Sequence, residues 1–327
     1  MRDPMDESTN LIERAPLPVA DPTAELAALA PASERAPLRV RVALLTAVIT
    51  PVFGLIAAIV SFWGWGFRWS DLALLLGMYV LTAFGITVGF HRLFTHRSFE
   101  TNRAVQFVFA VLGSMAIQGP LLEWVALHRR HHQHSDDVDD PHSPHHQGTG
   151  IWGVIRGLWH AHLGWMFASK PPDLQRYVRD LSQSKLLRAV SALFPLWVLA
   201  SLLIPTVIGW LLVGTPSGAW TGFIWGGLVR ILLVHHVTWS VNSVCHVWGR
   251  QPFISHDQSR NNAFFGVIGM GEGWHNTHHA FPTSARHGLR WWQIDTSYWV
   301  IRGLELMGLA WNVKLPSRAA ISRGSRP

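Results

Sequence analysis

Residues Val42 to Phe62 are twenty-one in a row without a charge, mostly apolar, with Arg39 and Arg41 just before them. A run of that length crosses a hydrocarbon core of about 30 Å. Inside lipid the backbone must satisfy its own hydrogen bonds, so such a run forms a helix. Leu72 to Phe90 is a second run of this kind, Ala189 to Val213 a third, and Trp220 to about His246 a fourth. Pro195 and Pro205 in the third are tolerable in a membrane helix. The expectation is an all-α integral membrane protein with four transmembrane helices.

Charged residues make up 14% of the chain, well below the quarter typical of soluble domains, which agrees with that class. The 18 Trp suit rings seated at bilayer interfaces. A formal charge of +7 raises the question of nucleic acid, but the basic residues flank apolar runs, so no nucleic-acid partner is expected. Cys245 is the only cysteine, which excludes an internal disulfide, a cysteine-ligated iron–sulfur cluster and a rubredoxin-type site in this chain.

Residues 1–38 are rich in Pro, Ala and Glu and are expected to be a disordered tail without a cleavable signal pattern. A single membrane domain then covers 39–315, and 316–327 is expected to fray as a basic tail. Within the domain, residues 91–188 and 247–315 form a cap outside the bilayer. An even number of spans puts both termini on one side, and the surplus of Arg250, Arg260, Arg286, Arg290 and Arg302 there identifies that side as the cytoplasm.

Histidines crowd the ends of these runs. His128, His131 and His132 stand at i, i+3 and i+4, on one face of a helix, and His275, His278 and His279 repeat the spacing. His91 and His96 follow the second run, and His246 closes the fourth. Neutral imidazole is the commonest ligand of transition metals and suits iron, zinc and copper. His142, His145 and His146 share the spacing, but Pro141 and Pro144 interrupt them, so no continuous helix presents that face. They are set aside.

Convergence of these imidazoles depends on the run Val105 to Leu122, which is near the lower limit for crossing. If it crossed, His91 and His128 would face opposite sides of the bilayer. It is therefore expected to lie along the interface or against protein. Nine imidazoles (His91, His96, His128, His131, His132, His246, His275, His278 and His279) exceed what one ion takes, so two metals are expected. Asn242, four residues before His246, is placed to hold a water. Glu123, Glu272, Asp136, Asp137, Asp139 and Asp140 could hydrogen-bond the outer imidazole nitrogens, although surface solvation or helix capping explains the Asp run as well. His235 lies about 16 Å deeper than His246 and is expected to be satisfied by a neighbour. Arg230 lies deeper again and needs a partner that the sequence does not name. Missing carboxylate spacing argues against the soluble four-helix di-iron pattern, and no His-Glu-x-x-His occurs.

Over about residues 40–315 the chain resembles the membrane fatty acyl desaturases of the stearoyl-CoA (delta-9) type. The marks are His-Arg-Leu-Phe-Thr-His at 91–96, His-Arg-Arg-His-His at 128–132, Asp-Pro-His at 140–142, Asn-Ser-Val-Cys-His at 242–246 and Glu-Gly-Trp-His-Asn-Thr-His-His-Ala-Phe-Pro at 272–282. The resemblance implies two non-heme irons on the nine histidines, with Asn242 acting through water, in a cytosolic helical cap over four spans. It implies an O2-dependent reaction that introduces a cis double bond, at position 9, into a long-chain fatty acyl-CoA. A narrow tunnel would then select the methylene pair, with Gly85, Thr87 and Trp239 as wall residues. Electrons would come from a ferredoxin, a flavin reductase or a cytochrome, since the chain lacks the His-Pro-Gly-Gly heme segment of fused desaturases. Basic cytosolic residues could dock an acidic donor. Ala126 and Leu127 depart from the charged pair of animal acyl-CoA enzymes, which leaves acyl carrier protein or a glycerolipid open as carrier. Two alternatives share some features: a di-iron fatty acid or alkane hydroxylase has the same boxes, and a metal carrier would spread its sites along a crossing path.

Overall fold

The computed structural model describes residues 37–65, 68–168 and 171–326. The tail expected over 1–38 lies outside these residues except for Pro37 and Leu38, and Leu38 already begins a helix. Four helices are long and apolar enough to cross a membrane: Leu38–Val60, Trp69–Thr95, Phe194–Val213 and Pro216–His246. The expected number holds, with shifted boundaries. The third begins at Phe194 instead of Ala189, because Lys185–Ala192 is a helix of its own and Pro195 occupies the first turn after the break.

Burial ranks the four helices. In the most apolar windows of the first and third, 17% of residues are buried, against 56% and 61% in the second and fourth. The second and fourth thus form the inner pair, and the outer pair presents Ile49, Phe53, Ile56, Leu199, Leu203 and Leu211 outward. An apolar exterior of this kind is stable only in a solvent as apolar as itself.

The ambiguous run at Val105 to Leu122 does not form one helix. Asn102 caps Val105 at 3.0 Å, the helix Arg103–Ser114 runs for 12 residues, and the chain then turns through Ile117 at φ 59°. At 1.5 Å per residue that helix is about 18 Å long, too short to cross. The turn is pinned from the fourth helix. Arg230 donates to Met115 O at 3.0 Å, to Ser201 O at 3.1 Å, to Ser201 Oγ at 2.6 Å and to Gly226 O at 3.1 Å. His235 Nε2 meets Ala116 O and Ile117 O at 3.0 Å, the satisfied role expected of it. Arg230 therefore has its partners, and all of them are neutral.

Outside the long helices, Leu121–His134 and the short helix His275–Ala280 carry two of the histidine groups. Phe90, Phe99, Leu121, Val125, Ala126 and Ile301 pack into the core between them. Ala126 is therefore a core residue, and only Leu127 of that pair faces a cavity. The described residues of the expected C-terminal tail are not frayed. Ser317 caps a helix Arg318–Gly324, Ser325 pairs with Phe253, and the Arg326 amide donates to Pro252 O. Backbone pairing to the loop at 252–253 outweighs the fraying that the basic composition suggests.

Candidate metal centre

His91 and His96 are five apart, a spacing that an α-helix would place on different faces. Between Gly85 and Thr95 the second long helix widens into π-helical turns, and the His96 amide donates to His91 O. The extra residue per turn brings the two rings to 4.8 Å. The fourth long helix ends differently: Val244–His246 tightens into a 3-10 turn and leaves His246 buried. The other two histidine groups keep the helical spacing seen in the sequence.

The nine imidazoles sort into two sets. His91, His96, His128, His132 and His278 form one, and His131, His246, His275 and His279 the other. Within each set the candidate ligand nitrogens lie within 4.8 Å of one another. His278 Nε2 stands 3.0 Å from His91 Nε2 and 2.9 Å from His132 Nε2, which is 3.1 Å from His128 Nε2. In the second set His246 Nε2 and His275 Nε2 are 3.0 Å apart.

Outer partners fix which nitrogen faces inward. Glu272 Oε2 stands 2.6 Å from His91 Nδ1, Asp140 3.0 Å from His131 Nδ1, Asp136 2.9 Å from His246 Nδ1 and Asp257 2.5 Å from His279 Nδ1. A carboxylate accepts, so each Nδ1 carries the proton and each Nε2 keeps its lone pair. One proton cannot serve every Nε2–Nε2 contact, and His131 Nε2, His279 Nε2 and His96 Nε2 are buried without a hydrogen-bond partner among the described residues. Buried lone pairs aimed at one another are unfavourable unless a cation lies between them. Neighbouring ligands on a metal with bonds of about 2.1 Å stand about 3 Å apart, the spacing observed here. The donor set fits two metal ions.

Electrostatics agree. Burial, then neighbouring rings, hold His96, His128, His132, His275 and His278 well below the usual imidazole range, in the neutral form a metal requires. Burial alone would raise the Asp140 and Asp257 carboxyls, but His131 and His279 beside them outweigh it and hold both well below the usual carboxylate range.

Of the outer acids read from the sequence, Glu272, Asp136 and Asp140 bond imidazoles. Asp137 and Asp139 are exposed. Glu123 lines the cavity and makes no hydrogen bond with an imidazole among the described residues. Asp257 and His287 were not expected. Asp257 sits in a loop with no spacing signal, and His287 lies eight residues beyond the last histidine box, its ring 4.4 Å from that of His278. His142, set aside for its prolines, is buried 4.3 Å from the His131 ring, because a loop delivers it where a helix could not.

A cavity of about 810 Å³ adjoins both sets, with His91, His128 and His275 in its wall among apolar residues that include Ile86, Leu127 and Val234. That volume is within the range of ligand pockets, roughly 300–1,000 Å³. Thr87, Trp239 and Asn242 line it. Gly85 does not. A Cβ there would stand 2.2 Å from Gly113 N, so its lack of a side chain serves the close approach of the helix Arg103–Ser114. Sequence reasoning missed a polar cross-brace in the wall, where Gln118 Nε2 donates to Thr238 Oγ1 at 2.8 Å and Trp124 Nε1 to Gln118 Oε1 at 3.3 Å.

Comparison with known proteins agrees with this geometry. The fatty acid desaturase family model matches residues 63–313. A hex-5-enoyl-[acyl-carrier protein] acetylenase of Moorena producens (strain JHB) is 44% identical over 275 residues, 84% of this chain and 86% of its own. An sn-1 stearoyl-lipid 9-desaturase of Synechocystis sp. is 37% identical over 270 residues, covering 82% and 79%. An icosanoyl-CoA 5-desaturase of Limnanthes douglasii is 39% identical over 279 residues, covering 84% and 72%. With its four long apolar helices and paired imidazole sets, this chain belongs to the fatty acid desaturase family of membrane oxidoreductases.

Proposed function

We propose that this protein is an O2-dependent desaturase that introduces a cis double bond, at position 9, into a long-chain fatty acyl-CoA. The observation that carries the reading is the apolar cavity of about 810 Å³ with His91, His128 and His275 of both imidazole sets in its wall. Two irons on the nine histidines would supply the oxidising power, through O2, that an unactivated methylene requires. The protein's own residues do the rest. Asp136, Asp140, Asp257 and Glu272 hold four rings in the tautomer that ligates. Asn242, in the cavity wall, would orient a water beside the metals. Thr87, Trp239 and the brace of Gln118, Thr238 and Trp124 shape the cavity that fixes which methylenes lie beside the metals.

Reducing O2 to two waters takes four electrons, and forming one double bond supplies two. The other two come from an external donor, a ferredoxin, flavin reductase or cytochrome, since the only cysteine is buried and unpaired. The arginine surplus in the cap supports a cytoplasmic active side.

Expression in a desaturase-deficient host, with double bonds located by mass spectrometry in the CoA, acyl carrier protein and glycerolipid pools, tests the reading. A new 9-monoene that appears first on CoA is expected. A first appearance on another carrier would move the substrate there, and hydroxylated chains without new unsaturation would favour the hydroxylase reading.

A further inference from the structure

Four carboxylates back the centre, and they differ in what else touches them. Asp140 also accepts from the amides of Asp136 at 2.9 Å and His142 at 3.0 Å. Asp257 accepts from Ser259 N at 3.1 Å and Ser259 Oγ at 2.5 Å. Asp136 accepts from Gln258 N at 2.8 Å and Ser143 Oγ at 3.1 Å. Every contact is a donor, so all three are anions. Asp140 and Asp257 are buried and the Asp136 side chain is 7% exposed, and among the described residues no Lys or Arg lies within ion-pair distance of any of them. All three hold rings of the set of four.

The set of five has a different backing. Its one bonded carboxylate, Glu272, stands 3.3 Å from the Arg92 guanidinium, which is fully buried and also pairs with Asp295 at 2.9 Å. Asp295 is itself held by the amides of His287 and Gly288, and Arg92 stands 3.0 Å from His287 Nδ1. Gly271, at φ 109°, makes room for this cluster, since a Cβ there would stand 2.3 Å from Asp295 Oδ1. One position thus faces three uncompensated anions, and the other faces a single anion already shared with a cation.

We propose that the two metal positions are electronically unequal, and that Arg92 is the positioning residue that keeps them so. The ion on His131, His246, His275 and His279 is stabilised in its higher oxidation state. The ion on His91, His96, His128, His132 and His278 takes an electron first. The cause is general: uncompensated negative charge in a poorly polarisable site favours the more positive ion and lowers its potential, and hydrogen-bonded anions also make their imidazoles better donors. The inference rests on the two-iron reading above.

The test is a stepwise reductive titration of the purified iron-loaded enzyme, followed by Mössbauer and electron paramagnetic resonance spectra, with iron counted in parallel. Two one-electron steps are expected, separated by at least tenfold in equilibrium constant, about 59 mV, with a mixed-valent species between them. Asp257→Asn should raise the later step and narrow the gap, and Glu272→Gln should raise the earlier one and widen it. Arg92→Met should lower the earlier step alone. Asp295→Asn provides a milder check, and leaving Arg92 to Glu272 alone should raise that step. A wild-type enzyme whose two irons are reduced together overturns the inference, as does an Asp257→Asn variant that moves the earlier step. Protein without iron would overturn both this inference and the two-iron reading, whereas two irons of equal potential would overturn this inference only.

Discussion

His278 is fully buried, and its Nε2 approaches two other ring nitrogens at 3.0 and 2.9 Å, more than most rings of the set of five. Removing it opens the set to water and leaves His91 and His132 facing a void. His278→Ala should abolish unsaturated product and cut bound iron by about half, measured as metal per folded protein; full iron with retained product would refute its place in the set. His131 makes the same prediction for the other set. Asp140→Asn should be milder, costing 10–100-fold in metal affinity, because the ring remains but loses the anion that orients it. At this scale the sequence was informative where spacing carries the information. Candidate ligands on helices were legible from i, i+3, i+4 patterns, and Asp257, His142 and His287, which arrive on loops, were not. The prolines do keep a helix from forming around His142, but that argument tests only whether a helix can present a ring.

Between Gly85 and Thr95 the winding of one helix decides whether the first histidine pair can share an ion, and nothing in residue spacing reports that winding. Packing against the helix Arg103–Ser114 supports it, with Gly85 at the crossing. Gly85→Ala should therefore destabilise the fold by about 1–3 kcal/mol through overpacking, read as a lower melting temperature in detergent. Arg230 secures the far end of the same helix. Arg230→Met removes a donor from the carbonyls of Met115, Ser201 and Gly226, of which Met115 O keeps Ser201 Oγ at 2.7 Å, and a buried acceptor left unmade costs about 1–3 kcal/mol. A variant as stable as wild type would show that these carbonyls find other partners. The four long helices were legible from hydropathy and length, both set by the bilayer. The ordered C-terminal helix was not, because pairing to a loop some 70 residues earlier leaves no local pattern.

Both imidazole sets gather at one end of the molecule, and six of their nine rings respond to pH in one direction. Burial holds His96, His128, His132, His275 and His278 well below the usual imidazole range and His279 down to about 4. An unfolded chain protonates the same rings below about pH 6.5. Between those limits the unfolded state binds more protons than the folded one, so stability rises with pH and is lost as pH falls from about 6.5 toward 4. Metal binding adds to the trend, since ligating imidazoles must be neutral. Asp140 and Asp257 oppose nothing in this window. Their depressed values stabilise the fold above the ordinary carboxylate range near 4, and that contribution fades only at lower pH. Melting temperature and retained iron, followed from pH 8 to pH 5 in one detergent, should therefore be flat above about 7 and fall together below about 6.5. A protein that holds its melting temperature and iron unchanged to pH 5 would mean that these rings are not buried as neutral ligands.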